Sequence, residues 1–178
     1  MTRPLWPILA ALILALAMVP MVARSAVAYP SAVVSHSVSY SVWTIQGSSV
    51  HLRFILPRPV VPQLLGRGAS SRDQAAIGAA VLDQVAVTSS GGDCPALDQG
   101  EGAGRIYTLA LTPGVDRFEV IFECPQASGM VLHDGVLFGR APGHVNYASV
   151  QVGAGRPAFE LFTRDHQSVA IPPDRPAA

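Results

Sequence analysis

The chain has 178 residues, 12 basic and 12 acidic. It contains no lysine, and only 13% of its residues are charged. That neutral, charge-poor balance offers no basic patch for a nucleic-acid partner, and the length suits a single domain.

The chain opens like an export signal. Arg3 supplies a short basic start, residues 5–18 form an uncharged apolar run, and Pro20 interrupts it. Ala26-Val27-Ala28 then offers the small-x-small pattern of a signal-peptidase site, which predicts cleavage after Ala28. Residues 5–22 are also close to the roughly 18 apolar residues that cross a bilayer, so retention as a membrane anchor is the competing reading. Either way the remaining chain, residues 29–171 with a short linker at 172–178, is expected outside the cytoplasm. It is periplasmic or extracellular, and tethered if the anchor stays.

Beyond residue 34 the hydrophobic period is two. Ser35, Ser37, Ser39 and Ser41 alternate with His36, Val38, Tyr40 and Val42. This predicts a strand with a hydroxyl-lined outer face and Val38, Tyr40 and Val42 in the core. After a turn at residues 46–49, Val50, Leu52, Phe54 and Leu56 give the return strand of a hairpin, which Pro57, Pro59 and Pro62 end. Residues 71–82 form the single helix candidate, with Ser71 and Gln74 placed as a capping box. Short strands are predicted at 84–88 and 106–111. Between them lies a Gly/Ser/Asp-rich loop whose GEGAGR stretch lacks the Lys-Ser/Thr ending of a phosphate loop. Phe118, Val120, Phe122 and Cys124 share one face of the next strand. Further strands are predicted at 130–138, bulged at Asp134-Gly135, and at 144–152 and 158–163. The core is expected to include Leu52, Phe54, Phe118, Val120, Phe122 and Phe138. The pattern predicts a mainly β fold, an antiparallel, immunoglobulin-like β-sandwich with one short helix; a β-barrel is the rival.

Two cysteines, Cys94 and Cys124, permit one pairing in an exported chain. A structural disulfide there closes a loop of about 30 residues and contributes roughly 3–4 kcal/mol. No zinc-type cysteine spacing competes with it. Catalytic motifs are missing: no GxSxG elbow and no HExxH stretch occurs, so no catalytic residue, metal ligand or cofactor is assigned. The five histidines, His36, His51, His133, His144 and His166, have no local chelating spacing. A metal site would have to be assembled by the fold.

The order of motifs carries a resemblance. A proline-terminated hairpin, a helix, GGDCP, IYTLAL, FECP, VLHDGVLF, a histidine before the next strand, and FELFTRDHQSVAI follow one another. Over residues 35–171 this resembles the extracytoplasmic N-terminal domain of the HupE/UreJ family of hydrogenase and urease accessory membrane proteins. Leu137-Phe138 and His144 match the family's pattern, whereas Ala141 and Val145 stand where the family has Asp and Arg. The family's multi-helix membrane domain carries the proposed metal transport, so the resemblance implies either the soluble half of a larger or split system or a free-standing relative. The resemblance implies a non-enzymatic exported module that interacts with or serves an integral membrane partner of metal-transport type. The alternative is a periplasmic metal-delivery protein using His144 and other histidines.

Overall fold

The computed structural model describes residues 37–66, 73–97, 105–108 and 114–172. Ala28 and the export segment, His36, Ser71, the glycine-rich residues 100–104 and the tail beyond residue 172 lie outside the described residues. Strands β1 (Val38–Gln46) and β2 (Ser49–Pro57) form the expected hairpin. Gly47 closes it at φ +59°, a conformation that glycine adopts without Cβ strain.

Eight further strands follow: β3 (Val85–Ser89), β4 (Gly92–Asp93), β5 (Arg105–Thr108), β6 (Val115–Glu123), β7 (Val131–Asp134), β8 (Val145–Val152), β9 (Ala158–Phe162) and β10 (Ser168–Ala170). They form two sheets, in the orders β5-β6-β2-β1-β8-β9 and β10-β7-β3-β4. All neighbours run antiparallel except β1 and β8, a parallel pair inside the larger sheet. Residues of both sheets enclose one hydrophobic core, giving a mainly β, sandwich-like architecture.

Several local features differ from expectation for identifiable reasons. The proline-rich stretch does not merely end β2. It forms a 3-10 turn (Arg58–Val60) and a short helix α1 (Val61–Leu65), each with proline in its first turn, where a missing N–H goes unmissed. The fold therefore has two short helices, the second being α2 (Gln74–Leu82). Asp73 caps α2, its carboxylate accepting from the Ala76 N–H at 3.0 Å. Gln74 is the first helical residue, so it cannot close the capping box predicted with Ser71. Asp134-Gly135 ends β7 instead of bulging, because the Asp134 side chain accepts from the Val136 N–H at 2.9 Å and turns the chain. Among the described residues, no helix is long and apolar enough to cross a membrane.

Leu52, Phe54, Phe118, Val120, Phe122 and Phe138 are buried as expected. The expected facing of β1 is reversed. Ser37, Ser39 and Ser41 point inward, together with Trp43 and Ile45. Val38 and Val42 are only half-buried, and Tyr40 is 48% exposed. Truncating Phe122 to Ala is expected to cost about 3–5 kcal/mol, whereas Tyr40→Ala is expected to cost at most about 1 kcal/mol. Urea unfolding midpoints read both. Equal losses would show that β1 presents its tyrosine to the core.

Candidate functional site

The inward serines of β1 meet polar partners on β8. The ring of His144 bonds the Ser37 hydroxyl through Nδ1 at 2.8 Å and the Ser39 hydroxyl through Nε2 at 2.9 Å. Two residues on, the Asn146 amide donates to Ser41 Oγ at 3.0 Å and to Asp134 Oδ2 at the end of β7. The Trp43 indole N–H also donates to Ser41 Oγ, at 3.0 Å. Ser39, Asp134 and Asn146 are fully buried and His144 is 1% exposed. A buried polar group costs free energy unless it is paired, and these groups pair with one another. Within this seam, Asn146 Oδ1 has no hydrogen-bond partner among the described residues.

The turn after β7 delivers His144 to this seam. Gly135 N–H donates to the Gln84 carbonyl at 2.7 Å, and Leu137 N–H donates to Gln84 Oε1 at 3.2 Å. Leu137 sits at φ +70°, a left-handed conformation that costs a branched residue energy. Its side chain and that of Phe138 are buried, which offsets that cost, and the Phe138 ring lies 5.6 Å from the His144 ring.

Burial sets the electrostatics. Desolvation pushes the Asp134 carboxyl from its ordinary 3.8 up to about 6, against hydrogen bonds from the Val136 N–H and Asn146. Desolvation likewise pulls the His144 imidazole from 6.5 down to about 4, partly offset by a bond to the Ser37 backbone. His144 is therefore neutral at physiological pH, with one ring nitrogen donating and the other accepting. Both are engaged by serines, so a metal ion could bind this ring only by displacing a hydroxyl from a closed interior. The hydroxyls of Ser37, Ser39 and Ser41 belong to buried residues.

The other described histidines stay apart from this seam. His51 faces outward on β2, His133 on β7 bonds Ser168 Oγ at 3.0 Å, and His166 is exposed in the turn after β9. Among the described residues no group of three or more His, Cys, Asp or Glu could hold a metal ion. Cys94 and Cys124 are joined in a disulfide with Cα atoms 4.2 Å apart. It links the end of β6 in the larger sheet to the segment after β4 in the smaller one.

The reversal of β1 creates a surface that hydrophobic patterning did not reveal. The pairing register sets Ile55, Tyr40, Tyr147 and Leu161 side by side across β2, β1, β8 and β9. The two tyrosine rings stack at 6.0 Å, and Tyr147 and Leu161 are 52% and 43% exposed. Phe159, in the next row, is 83% exposed. None of the outward side chains of β1, β8 and β9 is charged. The neighbouring β2 and β6 do carry charge, with Glu119 bonding Arg53 at 2.8 Å and Arg117 at 3.2 Å. A sheet face in water ordinarily carries polar and charged side chains, and this cluster of exposed aromatic and aliphatic residues departs from that pattern. Compared with known proteins, the chain matches no family model and no curated protein.

Two predictions follow from the geometry. Unreduced folded protein is expected to show no alkylatable thiol by mass spectrometry, and replacing both cysteines with Ala to lower stability by about 3–4 kcal/mol. Two reactive thiols would contradict the disulfide. The second concerns pH. The raised value of Asp134 favours the folded state fully below pH 3.8, and that contribution is lost as pH rises through about 6. The lowered value of His144 acts oppositely, contributing fully above pH 6.5 and being lost as pH falls through about 4. Each effect amounts to about 3 kcal/mol, and between about pH 4 and 6 they oppose. Relative to wild type, Asp134→Asn should therefore become more stable as pH rises across that range, and His144→Gln less stable. Denaturant titrations at several pH values read the slopes. The same sign in both variants would contradict the assignment.

Proposed function

We propose that this chain is an exported, non-enzymatic β-sandwich module that works by contact at a membrane. The observation that carries the reading is the uncharged face of β1, β8 and β9, with Tyr40, Tyr147, Phe159 and Leu161 exposed on it. Aromatic side chains concentrate at contact surfaces because they bury a large apolar area for little lost rotamer freedom, while tyrosine keeps a hydroxyl for the wet rim. The signal-like segment ending at Ala28 and the disulfide favour an oxidising location outside the cytoplasm. The resemblance to the HupE/UreJ extracytoplasmic domain favours a membrane setting. The interior seam adds support of a different kind. Its hydroxyls, imidazole and carboxyl are committed to holding the sheets together, which leaves the outer face as the surface for function.

The test is hydroxyl-radical footprinting of the full chain in the membranes of cells that express it, compared with purified protein. Oxidation of Tyr40, Tyr147 and Phe159 is expected to fall several-fold in membranes. Leu97, a 40% exposed residue after the disulfide-linked segment, serves as the reference that stays unchanged. Unaltered oxidation of the aromatic face would overturn the reading.

A further inference from the structure

We infer that the surface covering the aromatic face is the lipid bilayer interface itself, with Phe159 and the Tyr40–Tyr147 pair entering the boundary between headgroups and acyl chains. This rests on the contact reading above and names what the face contacts. A specific protein partner is ordinarily selected by complementary charges as well as fit, and the outward side chains of β1, β8 and β9 supply none. A bilayer boundary demands none; it rewards apolar area and amphipathic rings, the environment in which Tyr is enriched.

The margins of the face are polar. Exposed Arg156 and Arg164 stand just before and just after β9, and Asp165 follows Arg164. At the opposite margin Arg53 and Arg117 are already ion-paired to Glu119, so the phosphate contacts fall to Arg156 and Arg164. Arginines around an apolar patch suit lipid phosphates, which a guanidinium binds through paired donors. Because β1 and β8 run parallel, Tyr40 and Tyr147 both lie near the starts of their strands, at one end of the sheet. If the apolar run at residues 5–22 stays as an anchor, residues 23–37 tether the domain within reach of a bilayer.

The experiment repeats the footprinting on the full chain with protein-free vesicles of phosphatidylethanolamine and phosphatidylglycerol, against the same protein in buffer. Lipid contact predicts a several-fold fall in oxidation at Tyr40, Tyr147, Phe159 and Leu161, with Leu97 unchanged. Phe159→Ser should restore oxidation of the two tyrosines towards the buffer value, because it removes the most exposed apolar side chain of the face. Protection in cell membranes without protection on vesicles would overturn the lipid assignment in favour of a protein partner, leaving the contact reading standing. Protection in neither would overturn both. Equal protection of Leu97 would mean general shielding by the vesicle and would also overturn the lipid assignment.

Discussion

The seam of hydrogen bonds between β1 and β8 is the constraint on which the rest depends. Strand side chains alternate strictly, so a strand's inward set decides its outward set, and a shift of one residue exchanges them. On β1 and the residue before it the inward set is Ser37, Ser39, Ser41, Trp43 and Ile45. Three hydroxyls inside a protein are costly unless satisfied. His144 satisfies two, and Asn146 with Trp43 satisfies the third. Tyr40 is thereby committed to the outside, and the parallel register places Tyr147 beside it.

That seam is braced from the smaller sheet. Asp134 ends β7, receives the Asn146 amide and caps the Val136 N–H, tying one sheet to the other through a buried carboxyl. Gln84, just before β3, holds the strained turn at Leu137 that brings His144 into place. The disulfide provides a covalent link between the same two sheets. The opposite pKa displacements of Asp134 and His144 share one cause, the removal of both groups from water.

Much of this was legible in the residues. The inward side of β2 and β6 is almost wholly apolar and the other side mixes Arg, Glu and His with a few aliphatic residues, so their core faces were readable without partners. The cysteine pairing followed from count and export. β1 misled because its two sets differ little: serines on one side, Val, Tyr and Val on the other. A hydrophobic count favours the second, and the partners that favour the first lie 105 to 107 positions away in the chain. One local signal was available, since Trp43 and Ile45 extend the serine set and not the tyrosine set. Asn146 and His144 were similarly unreadable, as a polar residue beside a β-strand normally indicates solvent. The aromatic face needs the register of four strands, which no single segment contains. The helix in the proline-rich stretch was masked by residues that usually end structure and here begin it.

A closed polar seam and an outward Tyr40 follow from the same reversal, which is why the proposed role lies on the outer face of β1, β8 and β9 and not among the histidines. The most direct test is an NMR titration of the His144 imidazole in the folded protein. The account predicts a ring that stays neutral down to about pH 4, with its environment unchanged across the neutral range. A ring that titrates near its ordinary 6.5 would be solvated. The serines would then not be its partners, and β1 would present the opposite face to the core.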